Sequence, residues 1–78
     1  DPEDYRAHYT TTADRIRARL EAAMERGEAK PCDAEIASWA IMGMNVFLGL
    51  RFGVWAEDRT PAELAEATGA LIADGLRP

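Results

Sequence analysis

The sequence predicts an all-α fold in which one helical segment, residues 1–78, contains three helices. Apolar residues recur at spacings of three and four in the first and last thirds of the chain, which is the period of a helical face. A long apolar run with a single charged residue lies between them, at residues 36–55. A helix-starting motif precedes each of the three stretches, and no run alternates as a β-strand does.

The first helix is predicted over about residues 2–26. Asp1 provides an N-cap and Pro2 occupies the first helical position, where proline is favoured. Gly27 is a typical helix stop. One helical face then carries the apolar residues Tyr5, Tyr9, Ala13, Ile16, Leu20 and Ala23.

The second helix is predicted over about residues 33–56, after Pro31 interrupts the chain and Asp33 caps the new helix. Its large apolar side chains point nearly all round the helix axis. Such a helix must be covered on every side, and we expect the other two helices to cover about half of it. The remaining apolar surface would exceed what monomers usually expose, so we expect a two-fold homodimer.

The third helix is predicted over about residues 60–74. Thr60, Pro61 and Glu63 form a capping box with proline in its preferred place, and Gly75 is expected to end the helix. Helices two and three of both copies would form a four-helix interface, and Gly49 would allow backbones to approach closely. The residues expected in this dimer interface are Asn45, Leu48, Gly49, Arg51, Phe52, Trp55, Leu64, Thr68, Leu71 and Ile72.

Two polar residues of helix two need partners. Arg51 is expected to form an ion pair with Glu57 or Asp58, and the alternative is recognition of an anionic ligand. Asn45 either fixes the register of the dimer or faces a ligand pocket.

Composition excludes several classes of function. The net charge of −5 argues against binding to phosphates or to an anionic membrane. His8 and Cys32 are the only residues of their types, so no metal site, cofactor or enzymatic side-chain set is expected.

The uncharged stretch 36–50 is shorter than the roughly 18–20 residues that span a bilayer. Since no signal peptide is present, we expect a cytoplasmic location, and the start at Asp1 suggests a fragment.

The central and final segments resemble the last two helices of TetR/AcrR-family transcriptional regulators. The similar residues are the run WAIMGM at 39–44, FLGLRF at 47–52 with Trp55, and ADGLRP at 73–78. The resemblance implies a helical C-terminal domain that dimerises through these helices and binds a small inducer. It also implies that operator DNA is bound by a helix-turn-helix domain that this chain lacks, with repression relieved by the inducer.

An inducer pocket is expected between helices one and two, where aromatic and methionine side chains suit an apolar or amphipathic ligand. The alternative is that the same residues pack a core. The stretch 60–70 also resembles the start of a helix-turn-helix, but charge and length argue against DNA binding there. A stand-alone helical assembly module is the alternative function, and a membrane-associated protein is the weaker third. The expected pocket residues are Tyr5, His8, Tyr9, Thr12, Trp39, Met42, Gly43 and Val46.

Overall fold

Three α-helices joined by short connections make up the protein, in a computed structural model that describes all of residues 1–78. They are α1 (Pro2–Glu25), α2 (Ala34–Gly49) and α3 (Pro61–Leu76), and a π-helical segment (Leu50–Trp55) continues α2 without a break. No β-strand is present. The predicted all-α class with three helices is confirmed.

The predicted capping residues start all three helices. The Asp1 carboxylate accepts a hydrogen bond from the Glu3 backbone N–H at 3.1 Å. The Asp33 carboxylate accepts one from the Ile36 N–H at 3.0 Å. These contacts satisfy backbone donors that a helix N-terminus leaves without partners, so local sequence determines where each helix begins.

Gly27 ends α1 through a Schellman motif. Its φ of +73° is the one positive φ in the chain. The Glu28 N–H donates to the Ala23 carbonyl at 2.9 Å and the Gly27 N–H donates to the Met24 carbonyl at 3.1 Å. Both bonds satisfy carbonyls at the helix C-terminus, as the sequence predicts.

Helix two stays helical to Trp55, close to its predicted end, whereas α3 runs past the stop predicted at Gly75. The second helix changes to π-helical hydrogen bonding at Leu50, and the Ala56 N–H donates to the Arg51 carbonyl at 3.2 Å. The apolar pattern does not reveal this change, because Leu50–Trp55 is apolar with either hydrogen-bond register. α3 runs through Gly75 to Leu76, whose carbonyl accepts a hydrogen bond from the distant Lys30 N–H at 2.8 Å.

The capping box at α3 predicts a pH dependence. The Thr60 hydroxyl accepts from the Glu63 N–H at 3.1 Å, and the Thr60 N–H donates to the Glu63 carboxylate at 3.0 Å. This backbone hydrogen bond, with help from the Thr60 side chain and Arg59, holds the pKa of Glu63 below its ordinary value of 4.5. Because the folded pKa is the lower one, the stabilisation is complete above the unfolded pKa and is lost as pH falls through the folded pKa.

We therefore expect Glu63→Gln to flatten the acid side of the stability curve. Urea unfolding between about pH 3 and pH 7 measures this, with Glu66→Gln on the same helix as the control. Thr60→Ala should cost about 1 kcal/mol at neutral pH. Equal acid dependence in the wild type and Glu63→Gln would contradict the assigned role of this carboxylate.

α1 and α2 pack closely together, whereas α3 stands further from α2. The buried residues are few and mostly small, and all of them belong to α1, to α2 or to the connection between them. The Ser38 hydroxyl is buried but donates to the Glu35 carbonyl at 2.7 Å, so it has a hydrogen-bond partner. The five buried residues are Ala13, Leu20, Ala29, Ser38 and Met42.

The helices lie in a flat layer measuring 38 × 32 × 14 Å. The radius of gyration is 13.9 Å, against about 11.5 Å for a compact domain of this length. The accessible surface is 5875 Å², against about 4,700 Å² for a folded monomer of 8.6 kDa. The chain therefore exposes about 1,200 Å² more than a compact monomer of its size.

Candidate functional site

Two open grooves between α2 and α3 are the main concave features. The first has a volume of about 500 Å³ and is named the Phe47 groove. Its lining residues are Met44, Phe47, Leu48, Arg51, Phe52, Ala67, Thr68 and Leu71. The second has a volume of about 440 Å³ and is named the Gly49 groove. Its lining residues are Asn45, Leu48, Gly49, Pro61, Leu64, Ala65, Thr68, Gly69 and Ile72.

Leu48 and Thr68 line both grooves, and the other lining residues differ completely. We infer that these two half-buried residues form the line along which α2 and α3 meet, with one groove on each side. The layer therefore has two separate apolar surfaces for binding. Leu71 on the Phe47 side is 63% exposed, so the helix pair leaves large side chains uncovered.

The predicted interface residues are almost all at these grooves, but they are divided between the two sides. Gly49 and Ile72 line the Gly49 groove, whereas Arg51 and Leu71 line the Phe47 groove. Trp55 lines neither groove and is 66% exposed beyond their end. Leu48 and Thr68 connect the two sides because they line both grooves. The ten-residue dimer interface stays a prediction.

The predicted inducer-pocket residues lie along α1 and α2. Met42 is buried, and Tyr9, Thr12 and Gly43 are half-buried. The Thr12 hydroxyl donates to the His8 carbonyl at 3.1 Å within α1. The other four, Tyr5, His8, Trp39 and Val46, are exposed, and none of the eight lines any of the five main grooves. The inducer pocket stays a prediction.

Arg51 forms the predicted ion pair with Asp58 of the same chain. Two nitrogens of the guanidinium lie 3.4 Å from the two carboxylate oxygens, and the guanidinium carbon lies 4.4 Å from the centre of the Phe52 ring. The hydrogen bond from Arg51 holds the pKa of the Asp58 carboxyl below its ordinary value. Asp58 occupies one donor on each of the two terminal nitrogens, so the geometry favours the structural ion pair.

The sequence prediction did not assign a further set of exposed apolar residues that lie outside the grooves. Ile36 on α2 is 67% exposed and Val54 on the π-helical segment is 71% exposed, and neither lines any of the five main grooves. Trp39 and Val46, expected at the inducer pocket, share this exposure. The signal was the apolar character of helix two on all sides, which indicates missing cover without identifying the uncovered face.

The helix from Ala34 to Trp55, counted across the π-helical segment, has 22 residues and is long and apolar enough to cross a membrane. Core helices of soluble proteins share this length and composition, so the feature carries little weight by itself. The sequence argument counted only the uncharged residues 36–50, whereas the helix continues past Arg51. Only 11% of the most apolar 18-residue stretch of this helix is buried within the chain.

No metal-binding cluster is found in residues 1–78, since no three His, Cys, Asp or Glu side chains lie together. Cys32 is exposed and unpaired, and its backbone N–H donates to the Met24 sulfur at 3.3 Å. The site is therefore built from apolar side chains, small residues and one ion pair. Such a surface suits the binding of another apolar surface.

Comparison with known protein families, curated proteins and solved structures gave no match for this chain. Fold and site define the class of protein as an all-α, three-helix layer with an open apolar surface on α2 and α3. Its function is inferred from that geometry.

Proposed function

We propose that this chain is the dimerisation and effector-binding part of a TetR-like transcriptional regulator. The observation that supports this most strongly is the surface of about 1,200 Å² in excess of a compact monomer. Six of the eight exposed large apolar residues lie on α2 and its π-helical continuation, and one, Leu71, lies on α3. The family resemblance assigns these helices to the dimer interface. Burial and resemblance therefore point to the same pair of helices.

The excess area matches the requirement of a dimer. A stable interface of standard size buries about 800 Å² on each partner. One copy of the chain would therefore account for most of the excess and leave a smaller apolar region open. In the proposed regulator, that region is the α2 surface around Trp39 and Val46, and it faces the inducer pocket.

The proposed effector is a small apolar or amphipathic molecule. Trp39 is 43% exposed on α2, with Met42 buried beside it on the same helix. An aromatic ring at the edge of an apolar helix face offers contact area to a ligand with few polar groups. Operator DNA would be bound by a separate domain, because the net charge of −5 disfavours contact with phosphates.

Equilibrium sedimentation over a wide range of protein concentrations tests the dimer. We expect the mass to double as concentration rises, with a dissociation constant in the micromolar range or below. A mass that stays at 8.6 kDa at every concentration would contradict the proposal. Circular dichroism on the same samples establishes that the helices are folded.

A stand-alone helical assembly module is the second candidate, because the same apolar grooves would serve any protein partner. The two candidates differ in the coding sequence around this segment and in ligand binding. A basic helix-turn-helix encoded upstream, with Trp39 fluorescence that responds to apolar ligands, would favour the regulator. Trp55→Phe removes the second tryptophan, so the fluorescence then reports on Trp39 alone.

A further inference from the structure

We infer that a second copy of this chain covers the Gly49 groove and leaves the Phe47 groove outside the contact. This inference rests on the proposed dimer and identifies the side of the α2–α3 layer that the dimer uses. The two grooves have similar volumes, about 440 and 500 Å³, so size does not choose between them. The charge of the lining residues and the positions of the glycines distinguish the two grooves.

Charge separates the two grooves. None of the nine residues that line the Gly49 groove is charged, and its polar side chains are Asn45 and Thr68. The Phe47 groove contains Arg51, which is paired with Asp58 at 3.4 Å. Charged residues are depleted at the centre of protein interfaces, and removing an ion pair from water is unfavourable. A partner on the Gly49 side avoids that penalty.

Glycine positions support the same side. A Cβ atom added at Gly49 or Gly69 would meet nothing within 4 Å, so packing inside the chain does not require glycine at either position. Glycine inside a helix is nevertheless unfavourable relative to alanine. Gly43, Gly53 and Gly75 are open in the same way. However, of the five main grooves, only this one receives a glycine from both helices.

The shape of the layer provides enough area. An isologous dimer of standard size needs about 800 Å² from each copy, and the broad face of the layer measures 38 × 32 Å. Small residues on the two helices let the partner's backbone come close, where Leu64 and Ile72 supply apolar contact. Asn45 and Thr68 supply uncharged hydrogen-bonding groups to the same surface. In a two-fold dimer the same surface of the second copy forms the other half of the contact.

The test compares leucine substitutions on the two sides of α3. Gly69→Leu places a large side chain in the Gly49 groove, and Ala67→Leu places the same side chain in the Phe47 groove. Leucine favours helix more than glycine, and the position is open, so Gly69→Leu should fold at least as well as the wild type. Dissociation constants come from equilibrium sedimentation, and circular dichroism establishes the helix content of each variant.

We expect Gly69→Leu to raise the dissociation constant of the dimer at least about tenfold. Ala67→Leu should leave it within about twofold of the wild type. Gly49→Leu on α2 should match Gly69→Leu, and Gly69→Ala gives a smaller change in the same direction if leucine disturbs the fold.

Other outcomes overturn the inference. If Ala67→Leu weakens the dimer and Gly69→Leu does not, the partner covers the Phe47 groove and the proposed dimer still stands. Equal weakening by both variants would also be incompatible with a partner on one side. A wild-type chain that stays monomeric at every concentration removes the proposed dimer, and the choice of groove with it.

Discussion

Leu20→Ala should lower the free energy of unfolding by about 2–5 kcal/mol, the largest effect that we expect from a single truncation in this chain. Leu20 is 7% exposed and is the largest buried apolar residue of α1. Removing its side chain loses apolar burial and leaves a cavity. Domains of this size have stabilities of about 4–12 kcal/mol, so the loss is a large fraction of the total and unfolds the variant if the wild type lies at the low end of that range.

Urea unfolding followed by circular dichroism measures this change, at one fixed protein concentration because a dimer makes apparent stability depend on concentration. Leu71→Ala is the matched control, since it removes the same atoms from a side chain that is 63% exposed on α3. We expect this control to cost far less in the monomer. Equal losses in the two variants would contradict the placement of the core between α1 and α2.

Met42→Ala should cost about 2–5 kcal/mol as well, and it addresses the role of a residue that the sequence assigned to the inducer pocket. Met42 is 7% exposed and is the only large apolar side chain of α2 that is buried. In this position the Met42 side chain stabilises the fold. If Met42→Ala also weakens ligand binding, the loss of folded structure accounts for the weaker binding.

Met44→Ala is the control for Met42→Ala, because Met44 is half-buried and lines the Phe47 groove on the same helix. The expected order is a large loss of stability at residue 42 and a smaller one at residue 44. Urea unfolding of both variants at one concentration provides the comparison. The reverse order would mean that the α2–α3 contact, and not the α1–α2 contact, holds the structure together.

Helix starts were predictable because each depends on residues close together in sequence. Asp33 and Thr60 accept hydrogen bonds from backbone groups three positions later, so the contact forms whatever the rest of the chain does. The same holds at Gly27, where a positive φ and two local hydrogen bonds end α1. The stop predicted at Gly75 failed because φ stays negative there and α3 continues for one more residue.

The composition of the candidate site was also predictable, and its arrangement was not. Apolar residues on all sides of helix two indicate that a partner must cover it, and the residues expected at the interface lie mostly at the two grooves. Their division between two sides of the layer depends on where α3 lies relative to α2. A helical projection of one segment carries no information about that position, so Phe47 and Ala67 were missed.

The sequence by itself determined the all-α class, the helix starts, the end of α1 and the need for apolar cover, because these follow from local hydrogen bonds and from the periodicity of apolar residues. Only the tertiary structure decided which parts of α2 are covered. α1 packs closely on α2, whereas α3 leaves open grooves beside it. The hydrogen bond from the Lys30 N–H to the Leu76 carbonyl likewise joins residues that local pattern does not place together. Spacing between helices depends on side chains that are distant in sequence, so it becomes visible only in the folded chain.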